Sequence, residues 1–98
     1  MNARVLTLPR LCGTRWAARN LIQEQLQETE RRDVIAIDCA ALQACSGGYV
    51  DELIRELCEE RDCIVRLEGV DHDAAVDFLE FFDRQVEARG MESQVVSR

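Results

Sequence analysis

Residues 33–57 read DVIAIDCAALQACSGGYVDELIREL, and this stretch decides the fold that the sequence predicts. Residues 34–37 are all apolar, which is typical of a central strand in a parallel sheet, where both faces are covered. Apolar residues then recur at helical spacing over residues 48–60, which predicts an amphipathic helix with Asp51 and Glu52 on its exposed side. A buried strand thus leads through a short loop to Ser46 at the start of a helix.

The flanking sequence repeats this strand-helix unit on both sides. Before it, alternating and then helically spaced apolar residues predict a strand over residues 4–8 and a helix over residues 14–31. After it, we predict a strand over residues 62–67 and a last helix that Asp71 caps and Gly90 ends.

The resulting order, β-α-β-α-β-α, predicts a single α/β domain over residues 1–90. Right-handed crossovers give such a chain a short, mainly parallel sheet covered by helices in two or three layers. Residues 91–98 are polar and short, and we expect them to form a frayed tail.

The charge and the cysteines limit the classes of partner and compartment. The 98 residues include 12 arginines, no lysine and 19 acids, a net charge of −7, which argues against nucleic acid or an anionic membrane and favours a protein partner. Five cysteines form no Cys-x-x-Cys pair, and the N-terminus resembles no secretory signal. We therefore expect a cytoplasmic protein, and no apolar run approaches the roughly 20 residues that cross a bilayer.

Loops that follow parallel strands meet at one edge of the sheet, where ligands of open α/β sheets bind. The candidate binding residues at this edge, and in the helix that follows Ser46, are Thr14, Arg15, Asp38, Cys45, Ser46, Gly47, Gly48, Tyr49, Asp51 and Glu52. Ser46 is either a phosphoacceptor or an ordinary helix cap. Asp51 and Glu52 are either binding contacts or an acidic first turn that favours the helix dipole.

Two neighbouring positions also allow more than one interpretation. Arg15 opposes the dipole of its helix, which points to a ligand, a partner or a loop carboxylate as its contact. Trp16 and Tyr49 are expected to fill the core, and either would anchor a partner if it were exposed.

The segment DVIAIDCAALQACSGGYVDEL resembles the corresponding part of STAS domains, which include the anti-sigma factor antagonists. In that family a hydrophobic strand leads to an Asp-Ser-x-Gly turn that opens a helix. The segment from Tyr49 to Leu53 is similar to the STAS-like variants, in which the helix begins with an aromatic, a small residue and Asp-Glu-Leu. The preceding and following strand-helix pairs match as well, so that the resemblance covers about four-fifths of the chain.

The resemblance implies a regulatory binding module without enzymatic activity or a cofactor. Such modules dock this helix and its leading loop on an ATP-binding anti-sigma factor or sensor kinase, and phosphorylation of the serine that opens the helix releases them. That serine corresponds to Ser46. The chain differs from the family at Cys45, where an acid usually precedes the serine, and at Gly47, so docking follows from the resemblance more directly than phosphorylation does.

Thiol chemistry gives the alternative interpretations. Cys12 follows the first strand, as does the cysteine of phosphocysteine carriers and of low-molecular-weight phosphatases, although no Cys-x5-Arg loop is present. Zinc would need Cys12, Cys39, Cys45 and His72, whose spacings match no compact zinc motif, so no metal is expected. Phe81 lies off the apolar stripe of the last helix, so it either extends the core or makes an apolar contact to another chain, which leaves a homodimer open.

Overall fold

A computed structural model describes residues 3–71, 73 and 75–97 of the chain. In chain order the elements are β1 (Ala3–Thr7), β2 (Leu11–Cys12), α1 (Arg15–Gln25), β3 (Val34–Asp38), β4 (Ala44–Cys45), α2 (Gly47–Ile54), a π-helical continuation (Arg55–Glu60), β5 (Ile64–Glu68), α3 (Val76–Arg89), a 3₁₀ turn (Glu92–Gln94) and β6 (Val95–Ser97). Four strands form a parallel sheet in the order β1-β3-β5-β6, and β2 pairs with β4 in a separate parallel pair. The predicted α/β class and its mainly parallel sheet are confirmed.

The described helices lie side by side on one face of the four-stranded sheet. Each crossover advances to the next strand in the same direction, and right-handed crossovers of that kind place all helices on the same side. The register agrees, because Leu6, Ile37 and Leu67 lie side by side and are all buried, whereas Val5 on the opposite face is 56% exposed. The domain therefore has two layers, and α2 lies between α1 and α3.

The predicted helix boundaries are partly confirmed. Thr14 caps α1, and its side chain accepts the Ala17 N–H at 3.0 Å. Gly90 ends α3 in the left-handed conformation, with φ at 65°, as expected for a glycine that follows a helix.

None of the described helices is long and apolar enough to cross a membrane.

Two boundaries are wrong. α1 ends at Gln25 and not near residue 31, and the carbonyl of the next residue, Leu26, accepts a hydrogen bond from the Arg61 guanidinium. Asp71 does not cap α3, which begins at Val76. The Asp71 carboxylate instead accepts the Asp73 N–H at 2.9 Å, and a local hydrogen bond of this kind competes with helical hydrogen bonding.

The prediction of a frayed polar tail over residues 91–98 is also wrong for Val95–Ser97, which form β6. Val95 pairs with Val65 of β5, so the chain returns to the sheet after α3 and adds a fourth strand. Gln94 fixes this return, because its side-chain amide donates to the carbonyls of Cys58 and Cys63 at 3.1 and 2.9 Å. Short-range pattern does not reveal such a strand, since it spans only three residues.

Glycine should be preferred to alanine at two positions with left-handed backbone. Arg32 has φ at 67° and is exposed, and at Gly90 no neighbouring atom lies within 4 Å of the position that a Cβ atom would take. Left-handed backbone costs a residue with a Cβ atom roughly 1 kcal/mol. We therefore expect the free energy of unfolding, measured with urea, to be about 1 kcal/mol higher for Arg32→Gly than for Arg32→Ala. The wild-type protein should likewise be about 1 kcal/mol more stable than Gly90→Ala. Equal stabilities of the two Arg32 variants would contradict this, because both lose the same charge.

Candidate functional site

Ser46 is the N-cap of α2 and joins two loops at the carboxyl edge of the sheet. Its hydroxyl accepts the Tyr49 N–H at 3.1 Å and donates to the Gly13 carbonyl at 2.7 Å. Its own N–H donates to the Cys12 carbonyl at 2.9 Å. The capping role is therefore observed, and the half-buried Ser46 ties the start of α2 to the loop between β2 and α1.

Side chains of the two neighbouring helices flank the first turn of α2. The Arg15 Nε atom lies 3.5 Å from the position that a Cβ atom on Gly48 would take, and the Phe81 ring lies 3.4 Å from that position on Gly47. The structure thus brings together six of the predicted residues, namely Thr14, Arg15, Cys45, Ser46, Gly47 and Gly48.

Asp51 links all three helices through ion pairs. Its carboxylate accepts hydrogen bonds from Arg15 at the start of α1 and from Arg89 at the end of α3. Arg15 was expected to contact a ligand, a partner or a loop carboxylate, and the carboxylate that it contacts here belongs to a neighbouring helix. Burial acts to raise the pKa of Asp51, but the hydrogen bonds from the two arginines outweigh it and hold the pKa below its ordinary value.

Glu52 faces a second group of arginines. Arg55 donates to its carboxylate, and the guanidinium groups of Arg19 and Arg15 lie 3.6 and 3.9 Å away. The hydrogen bond from Arg55 is the main reason that the pKa of Glu52 is lowered, since it outweighs burial, and the charges of Arg55, Arg19 and Arg15 add to it. Glu52 is therefore held as an anion between α1 and α2.

Two predicted binding residues lie inside the protein, and one lies apart. Tyr49 is 1% exposed, which confirms the expectation that it fills the core and not the prediction that it contacts a partner. Glu52 is 4% exposed, so the predictions that it faces solvent and contacts a partner are wrong. The reason is that α2 has a helix on each side. Asp38 accepts the Ala40 N–H at 3.0 Å and lies against Gly69, so it shapes the turn after β3.

Two exposed apolar residues lie close in sequence to Cys12, Gly13 and Arg15, which contact the start of α2. Trp16 is 67% exposed, although the sequence suggested a core position, and Leu11, which no sequence pattern singled out, is 69% exposed. Helical spacing could have revealed Trp16, because it precedes the buried Ala18 by two residues and so points away from the buried side of α1.

The cysteines are free thiols, and all are buried except the half-buried Cys45. Burial raises the pKa of Cys12, and it raises the pKa of Cys45 to about 11 with added repulsion from Cys12 and Asp77. A nucleophilic or metal-binding cysteine needs the thiolate, so these shifts oppose the thiol interpretations. No group of metal-ligating side chains occurs among the described residues, and His72 lies outside them.

Comparison with known proteins gives no relative. A scan against models of protein families, a search of curated proteins and a search of solved structures each found no match.

We expect Glu52→Gln to lower the free energy of unfolding by about 1–3 kcal/mol at pH 7, because it removes charge-assisted hydrogen bonds from a buried carboxylate. The folded pKa of Glu52 is depressed, so its contribution is complete above the unfolded value of about 4.3 and is lost as the pH falls through the folded value. Denaturation of both proteins between about pH 7 and pH 3.5 should show the difference shrinking below about pH 4.3.

Glu60→Gln is the matched control. Glu60 also pairs with Arg55, at 3.2 Å, but its side chain is 58% exposed, so we expect a loss below about 0.5 kcal/mol. Equal effects of the two substitutions would show that burial of Glu52 does not strengthen its ion pairs.

Iodoacetamide should alkylate the cysteines of the folded protein slowly, and it should react with Cys45 first. Cys45 is the one half-buried cysteine, whereas Cys12 is 1% exposed and has a raised pKa. Treatment with iodoacetamide at about pH 7.5, followed by peptide mass spectrometry over time, should label Cys12 only at the rate of unfolding. A sample denatured in guanidinium gives the reference rate. Labelling of native Cys12 ahead of Cys45 would support the thiol interpretation.

Proposed function

We propose that this chain is a non-catalytic, STAS-like regulatory module of the cytoplasm. It docks on a protein partner, an ATP-binding anti-sigma factor or sensor kinase, through the start of α2 and the loops beside it. The observation that carries the proposal is Ser46, which begins α2 at the carboxyl edge of a parallel sheet and is hydrogen-bonded to the neighbouring loop. The free thiols support the cytoplasmic location.

The partner contact consists of the exposed or half-exposed part of this edge. Gly47 and Gly48 are half-buried, and Arg15 beside them has a side chain that is 53% exposed. Asp51 is accessible over 17% of its side chain, so it orients Arg15 more than it touches a partner. The docking surface is therefore centred on the first turn of α2 and on the loop before α1.

Phosphorylation of Ser46 supplies a release mechanism. Esterification of the hydroxyl removes the proton that it donates to the Gly13 carbonyl. This loosens the contact between the loop before α1 and the start of α2, although the Ser46 N–H still donates to the Cys12 carbonyl. The phosphate also adds about −1.5 to −2 charges at neutral pH. Both effects change the surface that the partner contacts, and repulsion from an acidic partner surface would promote dissociation.

Affinity capture from native cells tests this function. We expect wild-type protein to capture an ATP-binding protein, identified by mass spectrometry, and Ser46→Glu to reduce that capture at least about tenfold. Ser93→Glu is the matched control, since Ser93 is exposed in the 3₁₀ turn and should leave capture unchanged. Circular dichroism must show that Ser46→Glu is folded.

Ser46→Ala separates docking from the switch. This variant also loses the hydrogen bond to the Gly13 carbonyl, so it shows whether that loss alone weakens capture. It has no phosphoacceptor, so added ATP should release wild-type protein from the captured partner and leave the bound fraction of Ser46→Ala unchanged. Absence of any ATP-binding protein among the captured species, or equal capture by the two glutamate variants, would contradict the proposed function.

A further inference from the structure

The two most exposed of the large apolar side chains that the structure describes as exposed lie close to each other in sequence. Leu11 is 69% and Trp16 67% exposed, and they flank Gly13, the residue whose carbonyl accepts the Ser46 hydroxyl. Leu11 lies in β2, in register with the exposed Ala44 of β4. An exposed tryptophan with an apolar neighbour is the type of group that anchors protein interfaces.

The charge of this part of the chain is opposite to that of the rest. Residues 1–23 contain four arginines and no acid, whereas residues 24–98 contain eight arginines and all 19 acids. Arg10, Arg15 and Arg19 lie within ten residues that also contain Leu11 and Trp16. The apolar pair therefore lies in a basic stretch of sequence within an acidic protein.

The carboxylates that pair with these arginines lie deeper than the arginines themselves. The side chains of Arg15 and Arg19 are 53% and 48% exposed, but those of their partners Asp51 and Glu52 are 17% and 5% exposed. Each guanidinium has five N–H donors, and its pairing uses only part of them. The buried acids thus hold the guanidinium groups in place and leave some of their N–H donors directed toward solvent. Because these arginines are already ordered, less conformational entropy is lost when they bind a ligand.

We propose that this basic apolar surface, consisting of Arg10, Leu11, Arg15, Trp16 and Arg19, binds an acidic peptide segment of a protein partner. A bulky apolar side chain of that segment packs on Trp16 and Leu11, and its carboxylates accept hydrogen bonds from the arginines. The proposal deepens the function proposed above and rests on it for the protein nature of the partner.

A short acidic segment fits this surface better than a nucleic acid does. Charges interact over about 8 Å at physiological ionic strength, and Asp51 and Glu52 lie within that range of Arg15 and Arg19. Both acids are less exposed than the arginines, so the carboxylates of a short peptide meet the guanidinium groups first. A nucleic acid extends beyond that distance toward a remainder of the chain that carries all 19 acids, and that remainder repels it.

The test uses a displayed library of random peptides, each about 12 residues long, selected on the immobilised protein. We expect the enriched peptides to combine several Asp or Glu residues with Trp, Phe or Leu. Trp16 is the one tryptophan in the sequence, so the intrinsic fluorescence of the protein reports on it directly. Addition of an enriched synthetic peptide that lacks tryptophan should shift this emission to shorter wavelength as Trp16 leaves water.

Variants locate the binding surface through the anisotropy of a fluorescently labelled peptide. Trp16→Ser should weaken binding at least about tenfold, and Arg10→Gln about threefold with a smaller dependence on salt. Val5→Ser is the control, because Val5 is also exposed, at 56%, but lies on the sheet face opposite the helices. It should leave the affinity unchanged.

Several outcomes would overturn the proposal. Enrichment of basic peptides, an unchanged Trp16 emission or equal binding by Trp16→Ser would each do so. Tighter binding of a single-stranded oligonucleotide would identify a nucleic acid as the occupant, and a blue shift that grows with protein concentration alone would identify a second copy.

Capture from cells distinguishes the two proposals. Loss of capture in Ser46→Glu but not in Trp16→Ser supports the docking function alone, whereas peptide binding without a captured ATP-binding protein supports the acidic-peptide surface alone.

Discussion

The position of α2 between α1 and α3 is the constraint on which the rest of the structure depends. All crossovers of the sheet advance in one direction, so the helices share one face and the middle helix has no broad solvent side. Polar side chains on its flanks must then find partners within the protein. Asp51 and Glu52 find them in arginines from both neighbouring helices and from the continuation of α2, and these pairs join the helix layer above an apolar core.

This constraint also explains how far the sequence could predict the fold. The apolar run of residues 34–37, the cap at Ser46 and the glycine after α3 are local signals, and each predicted its element. The order of the strands is a long-range property, and it decides whether an acid in a helix faces water or another helix. Helical spacing therefore placed Glu52 outside, although it is 4% exposed. β6 was missed because its pairing depends on β5, which lies on the far side of α3 in the chain.

The candidate site was predictable to a similar extent. Loops that follow parallel strands meet at one edge, and this rule alone brought Thr14, Arg15 and Ser46 together. It could not separate residues that face solvent from residues that face the core. The candidate binding residues therefore included the buried Tyr49 and left out the exposed Leu11. Exposure depends on the small β2 and β4 pair, whose two-residue strands are too short to produce a pattern.

The same ion pairs connect stability to the proposed recognition of a partner. A carboxylate that is buried beside an exposed arginine stabilises the helix layer, and it also limits the directions in which the guanidinium can point. Arg15 contacts Asp51 and lies against Gly48, so a change at the start of α2 alters the position of an arginine on the neighbouring loop surface. Ser46 acts on that loop from the other side, through the Gly13 carbonyl. Ser46 and Arg15, a residue of the proposed peptide surface, are therefore linked to the same loop and helix start through two short contacts.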